Sequence, residues 1–303
     1  MRLENFTAGE ISSAVRCGEL RLHIGRFTLK ISSFLPEFEA AFRQLYAHYP
    51  SSINGGAYDY DIDMSPPTFF RRWFHRNSLF RLSGDAPFLP MEVGHALALF
   101  EWGLNWAIGT YAHNFLILHS AVVELQGCGV LLAATSGSGK STLAAELSLQ
   151  GWRLLSDELA LIDSDLRLVP CARPISLKNQ SIEVIRARHP AAGFGQFARD
   201  THKGTIAHIP APKSSVDRNL ETCPPRLIVF PKWTAYAALR VEPVGSGQAA
   251  LRLIDQSFNY PLLGQRGFER MADLVESTEA WELEYSSLDE ARDALAQLVS
   301  ERG

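Results

Sequence analysis

The sequence predicts an α/β fold in two parts. A core over residues 111–303 is built round a strand–loop–helix unit, and a smaller α+β domain over residues 1–110 precedes it. Three observations predict this. At about 150 residues per domain, 303 residues make room for two. Apolar residues make up 46% and charged residues 20%, enough for packed cores, which excludes wholesale disorder and a disulfide-stapled miniprotein. Between residues 130 and 150 an apolar run, a Gly/Ser loop and an Ala/Leu-rich stretch follow one another directly, whereas the first third alternates in short runs.

The elements follow in order. Residues 19–31 alternate and predict two short strands with a turn near Gly25. Phe38, Ala41, Phe42 and Leu45 recur at helical spacing after Pro36, predicting a helix over 36–48. Residues 56–82 read as a meander: Tyr58, Tyr60 and Ile62 alternate with Asp59, Asp61 and Asp63, and Pro66-Pro67 breaks the run. Its segment Phe69-Phe70-Arg71-Arg72-Trp73-Phe74-His75-Arg76 mixes aromatics with cations. It reads as a sheet with one aromatic buried face and one basic solvent face, or as a peptide-docking edge. Residues 91–110 predict a helix, and the domain boundary falls between 85 and 112. Strands are expected at Phe115–Leu125 and Val130–Ala134 around a Gly127-Cys128-Gly129 turn, at Arg153–Leu155, on both sides of an Asp163-Ser164-Asp165 turn, at Arg226–Pro231 and at 281–285. Helices are expected at 248–260, 264–276 and 288–301. Residues 190–223, rich in Gly, Pro, Ser, Lys and Arg, read as a long mobile loop.

Net charge is −4 and the pI near 6.1, so no global field favours nucleic acid or an anionic membrane. The longest apolar region, Val93 to Ile117, is interrupted by Glu101, Asn105, Gly109, His113 and Asn114, and no run reaches the roughly 18 residues of a membrane span. Cys17, Cys128, Cys171 and Cys223 are dispersed, with no CxxC pair. Together with an N-terminus lacking a signal-peptide pattern, they fit a reducing cytoplasm.

The chemistry centres on Ala134-Thr135-Ser136-Gly137-Ser138-Gly139-Lys140-Ser141-Thr142. This matches the phosphate-binding pattern G-x-x-x-x-G-K-[ST], with Ala134 at the first glycine. Glycines let backbone amides converge on phosphate oxygens, and a helix N-terminus adds its positive end. Lys140 would reach the β- and γ-phosphates and the Ser141 hydroxyl would ligand Mg²⁺. The bland alternative is a Gly/Ser turn that merely opens a helix. A nucleotide loop alone leaves ATPase, GTPase, kinase and ligase open.

Acidic partners are needed for a metal and for a proton. Asp163 sits in a hairpin turn and Asp255 in a helical pattern, which explain both without chemistry. Asp157 and Glu158 follow the expected Arg153–Leu155 strand, at the strand end where α/β proteins hold ligands. One could ligand Mg²⁺ and the other accept a proton from an attacking hydroxyl; an exposed acidic turn is the other reading. His119, in an apolar strand, reads either as a hydrogen-bonded core histidine or as a member of the site. No Asn-Lys-x-Asp guanine signature is present.

Together these residues resemble the C-terminal domain of the bacterial HPr kinase/phosphorylase family. That family has a strand histidine, a hairpin, a loop like G-x-S-G-x-G-K-S, a helix, an R-G-H-R-L-like turn and an Asp-Asp pair. Here stand His119, Ser136 to Ser141, Gln150-Gly151-Trp152-Arg153-Leu154 and Asp157-Glu158. Histidine and lysine are 21 residues apart, and lysine and the acidic pair 17. The resemblance is specific over residues 115–163. His-Ser-Ala-Val-Val-Glu from His119, Arg173 to Asn179, and Ser257-Phe258-Asn259-Tyr260 further resemble a subgroup of HPr-kinase-related kinases, type A.

The resemblance implies a P-loop core similar to HPr kinase and phosphoenolpyruvate carboxykinase, with ATP and Mg²⁺ as cofactors. It implies Asp157 as general base, His119 beside it, and Ser136, Gly137, Ser138, Gly139, Lys140, Ser141 and Thr142 as the phosphate cradle. Ser141 and Glu158 take the metal positions. The family's Arg-Gly-x-Gly segment is absent. Lys178 either takes the arginine's place on the phosphoryl group or is a solvated loop lysine. A later Arg-Pro-Gly-Arg-Asn-like stretch is replaced by Val241 to Gln248. In the family both elements serve partner recognition and the reverse reaction. The resemblance thus implies a kinase acting on a serine of a peptide or small protein. A PqqD-like carrier protein is the implied partner and a homo-oligomer the implied assembly. A small-molecule hydroxyl kinase and a nucleotide-binding regulatory module are the alternatives.

Overall fold

A computed structural model describes residues 1–68, 76–135 and 137–301. The segment Phe69–His75, which carries most of the expected aromatic and basic face, and Ser136 of the loop lie outside the described residues. The architecture is mixed α/β with several sheets, and the chain divides into two compact units.

The first unit comprises Met1–Ile108, Arg173–Arg186 and Pro190–Asp217. Its main sheet has six strands in the order Ser51–Ser52, Leu20–Ile24, Phe27–Ser33, Tyr60–Ser65, Asn77–Leu82, Met91–Glu92. The expected turn at Gly25 joins the second and third of these, and its φ of 57° suits a residue without a side chain. Phe27, Leu29 and Ile31 alternate inward, as do Tyr60, Ile62 and Met64. The two strands pair in parallel, Leu29 opposite Tyr60, so the expected meander holds only for the antiparallel pair that follows. The helix Pro36–Leu45 buries Phe38, Ala41, Phe42 and Leu45, and Phe38, Phe42, Tyr46 and Phe100 form one aromatic cluster. The Tyr46 hydroxyl donates to Glu101, which also pairs with Arg173 at 3.1 Å.

Residues 190–223 correct the expectation of a long mobile loop. They hold the strands Ala198–Thr201 and Gly204–Ile209 and the helix Lys213–Asp217. The strands join Ile175–Lys178 in a three-stranded sheet, with Ile175 opposite Ile209. The turn-forming composition is real, but pairing with a segment some thirty residues earlier overrides it.

The second unit comprises Gly109–Ala172, Ala187–His189 and Arg218–Gly303. Its main sheet runs Arg153–Ser156, Ser120–Leu125, Cys128–Ala133, Pro225–Trp233, Glu279–Tyr285, Arg240–Val244. The three central strands from Cys128 to Tyr285 are parallel and both flanks are antiparallel. Buried on both faces, the central strands read as unbroken apolar runs such as Val130 to Ala133. The helices Lys140–Leu149 and Leu288–Ser300 pack together, as do Ser246–Ile254 and Gln265–Glu276. A second sheet of Leu168–Val169, Ala160–Ile162 and Leu116–Leu118 completes the unit.

Two expectations are revised here. The strand Phe115–Leu125 is two strands, Leu116–Leu118 and Ser120–Leu125, separated at His119. The helix expected over 248–260 ends at Ile254, because Ser257 to Asn259 bond to residues 115–118 instead of continuing a helix. Among the described residues no helix is long and apolar enough to cross a membrane.

Candidate functional site

The site is built on the hairpin of Ser120–Leu125 and Cys128–Ala133. Gln126 and Gly127 both take positive φ, 53° and 79°, the two-residue turn whose twist suits a hairpin. The second strand delivers the chain to the loop at Ala134. Gly137 and Gly139 lie at φ 88° and 95°, where a side chain is strained. Gly139 has a steric reason as well. A Cβ there would stand 2.9 Å from the Tyr285 hydroxyl and 3.1 Å from the Trp233 Cβ. The Ser138 carbonyl accepts from the Trp233 amide at 2.9 Å, pinning the loop to the neighbouring strand.

The helix Lys140–Leu149 begins at once, with Gly139 as N-cap and no side-chain cap. Leu143 is the first residue whose amide bonds back into the helix, onto the Gly139 carbonyl. A helix start of this kind offers its first-turn amides and dipole to an anion. Ser141 and Thr142 stand half-buried on that turn. The Ser138 Oγ is buried with no hydrogen-bond partner among the described residues, although a buried hydroxyl ordinarily has one. An oxyanion is the chemical class that this loop fits.

Lys140 is buried at 7% exposure, and its Nζ donates to the His119 carbonyl at 3.2 Å. The His119 Nε2 meets Glu158 Oε2 at 3.0 Å. Three residues named from the sequence, 39 positions apart at the extremes, are thus joined in one chain of contacts. The side chains of His119 and Glu158 are partly exposed, at 34% and 21%, so this pair is open to solvent and to a ligand.

Topology explains why they meet. Ala160 pairs with Leu118, and Ser156 with Val122, so two antiparallel segments run side by side. Both leave one sheet for the other at the same level, one at His119 and the other across Asp157–Leu159. Ser156 Oγ accepts from the Leu159 amide at 3.0 Å and shapes that break. Asp157 follows Ser156 and is buried at 5% exposure. Ser120, opposite Val122's end of this ladder, pairs with Ala133, the last strand residue before the loop. Asp157 and the loop start therefore lie at the same end of the sheet with one strand between them, their strands roughly 10 Å apart across the sheet by two strand spacings.

Sequence reasoning missed what holds His119. The His119 amide donates to the Gln256 carbonyl at 2.8 Å. Asn259, wholly buried, accepts from the Ile117 amide at 3.0 Å and donates to the Phe115 carbonyl at 2.8 Å. Its carboxamide replaces a missing strand neighbour. The Phe258 ring lies edge-on to the imidazole at 5.9 Å. Ser257, Phe258 and Asn259 stand out in the sequence, but no local pattern tells which backbone an amide side chain will meet.

Lys178 ends the strand Ile175–Lys178 of the first unit, and its amide donates to Ser181. Asp163 spends its carboxylate on the turn amides of Asp165 and Arg167, at 3.1 and 2.9 Å, and Asp255 caps a helix C-terminus. Among the described residues no group of three or more His, Cys, Asp or Glu converges as a metal cage. Glu158 is linked to the loop lysine through His119, and Ser141 follows that lysine in the helix. One or two protein oxygens completed by phosphates are what Mg²⁺ ordinarily takes.

No protein-family model matches the chain. Its curated relatives include the HPr kinase/phosphorylase of Limosilactobacillus reuteri, 32% identical over 109 residues, covering 36% of this chain and 32% of the relative. That of Latilactobacillus sakei is 32% identical over 97 residues, covering 30% and 31%, and that of Geobacter sulfurreducens 31% identical over 78 residues, covering 26% and 22%. The chain thus spans about a third or less of the length of the curated relatives it matches. Among solved structures, the Hpr(Ser) kinase/phosphatase from Coxiella burnetii aligns at 15% identity and a TM-score of 0.28, covering 61% of this chain and 98% of that one. Over the stretch shared with these curated relatives, the chain is HPr kinase/phosphorylase-like in sequence.

Proposed function

We propose that this chain is an ATP-dependent kinase that transfers a phosphoryl group to a serine hydroxyl of a peptide or small protein. The observation that carries the reading is the chain of contacts from the loop lysine through His119 to Glu158. It puts a cation, an imidazole and a carboxylate beside a loop shaped for an oxyanion. The HPr kinase/phosphorylase names of the relatives support phosphoryl transfer to a protein serine. A small carrier protein that presents the peptide, and self-assembly of the chain, belong to the same proposal.

In this reading Gly137, Ser138 and Gly139 cradle the phosphates with their amides, and Lys140 neutralises their charge. Ser141 and Glu158 hold Mg²⁺, which supplies further neutralisation of the phosphate oxygens. His119 orients Glu158 by donating to it. Asp157 takes the proton of the acceptor hydroxyl and aligns that oxygen for attack. Lys178 remains a proposed contact to the phosphoryl group, from its place at the end of a strand. Little covalent work is left to the protein, so positioning and electrostatics supply most of the catalysis.

The test is transfer of labelled γ-phosphate from ATP to a panel of serine peptides by the wild type and by Asp157→Asn. Wild type should yield phosphopeptide, and Asp157→Asn should lose transfer by about 10²- to 10⁴-fold while still binding nucleotide. Undiminished transfer by Asp157→Asn would remove the base role. Binding of ATP by wild type without transfer to any peptide would leave the chain a nucleotide-binding module rather than a kinase.

A further inference from the structure

The loop has two flanks, and the proposed chemistry uses one. On the side of the strand Ser120–Leu125 stand His119, Asp157 and Glu158. On the other side runs the strand Pro225–Trp233, parallel to the strand that feeds the loop, with Val229 opposite Leu132. It extends beyond that register, so its last residue, Trp233, comes level with the loop itself. The Trp233 amide bonds to the Ser138 carbonyl, and its Cβ stands close against Gly139.

Three aromatic side chains mark this flank. Trp233 is 46% exposed, yet its ring is fixed, because the indole N–H donates to the Ser286 carbonyl at 3.2 Å. Tyr236, on the turn closed by the Ala237 amide and the Thr234 carbonyl, is fully exposed. Tyr285 is wholly buried against Gly139, and its hydroxyl has no hydrogen-bond partner among the described residues. Burial also pushes that hydroxyl's pKa up, so it stays a neutral donor. An anchored, half-exposed indole beside a buried hydroxyl that lacks an acceptor is a poor solution for solvent. It is a good one for a flat heteroaromatic ring joined to an anion.

We propose that Trp233, with Tyr236 on the turn after it, is the stacking platform for the base of a nucleoside triphosphate whose phosphates lie on the loop. This rests on the phosphate-loop reading above and adds the base to it. Every nucleobase presents a π-face, so stacking gives affinity with little discrimination among bases, and Trp is the side chain with the largest face to offer. The placement also divides the labour: base on the aromatic flank, acceptor on the carboxylate flank, phosphates between.

The experiment is calorimetric titration of the full chain with Mg-ATP and, separately, with inorganic tripolyphosphate and Mg²⁺. Trp233→Leu should weaken Mg-ATP about tenfold or more while leaving tripolyphosphate within about twofold, the size expected for losing one base–aromatic stack. Trp233→Phe should recover most of the loss. Tyr236→Ala, which removes a fully exposed side chain and leaves packing untouched, should weaken Mg-ATP by a smaller factor and tripolyphosphate not at all. Equal loss of both ligands in Trp233→Leu, or loss of neither, overturns the proposal. So does an unchanged ratio of the two affinities in Tyr236→Ala, should Trp233→Leu fail to fold. If wild type binds tripolyphosphate but gains nothing from the nucleoside, the platform falls and the phosphate loop stands. If wild type binds neither ligand, the phosphate-loop reading falls and takes the platform with it.

Discussion

The two ends of the helix Lys140–Leu149 use the same residue types for opposite purposes. At its start, Lys140, His119 and Glu158 meet beside glycines, with His119 and Glu158 partly exposed. Within its second turn Glu146 is wholly buried, and both its oxygens are taken, one by Arg188 at 2.9 Å and the other by Arg188 and His189, each at 2.9 Å. Arg188 also reaches Asp289, which ties the helix to the Leu288–Ser300 helix. A carboxylate, an imidazole and a cation thus make a closed clamp at one place and an open constellation at the other. What separates them is solvent access, not composition.

That contrast breaks if changes at the two ends have similar effects. The largest difference is expected from Lys140→Met. Phosphotransfer should fall about 10²- to 10³-fold, the loss typical of removing one preorganised electrostatic contact, with little movement of the thermal midpoint. Glu146→Ala should do the reverse. It strands Arg188 and His189 and should cost about 3 kcal/mol in a denaturant titration, leaving nucleotide affinity near wild type.

The clamp also carries a pH signature. Burial alone would raise the Glu146 pKa, but the hydrogen bonds from Arg188 and His189 outweigh it and hold the carboxyl below its ordinary 4.5. A folded-state pKa below the unfolded value gives stability that is present above about pH 4.5 and is lost as pH falls through the folded value. Wild type should therefore lose stability more steeply than Glu146→Gln on acidification below about pH 4.5, as read by urea midpoints across pH.

Two smaller tests sharpen the loop end. Asn259→Ala removes two buried bonds to the backbone ahead of His119 and should cost about 2 kcal/mol, with transfer falling more than nucleotide binding. Gly137→Ala meets only the backbone strain of a positive φ, about 1 kcal/mol, since nothing lies within 4 Å of its new Cβ. Gly139→Ala adds a collision with Tyr285 and Trp233 to the same strain and should be the worse of the two in thermal melts.

The sequence made the strand–loop–helix unit legible because every signal in it is local: an apolar strand, glycines at left-handed positions, and an Ala/Leu-rich helix. It made Asp157, Glu158 and His119 legible as candidates through spacing and resemblance. It did not reveal that His119 and Asp157–Leu159 are breaks where two segments exchange sheets, since that depends on pairing between residues some forty apart. For the same reason 190–223 read as a loop although Gly204–Ile209 is a central strand of its sheet. The Asn259 clamp was illegible in kind, because its partners are about 140 residues away.

The paired break at His119 and Asp157–Leu159 has a further consequence. Along an unbroken strand, successive side chains are dealt to opposite faces, like steps taken left and right. Asp157 and Glu158, had they continued the strand, would point to opposite faces of the sheet. By interrupting both ribbons at one level, the fold suspends that bookkeeping for a few residues. Within the break, strand alternation no longer dictates which way each of the two adjacent acids turns, and Glu158 is the one that meets His119.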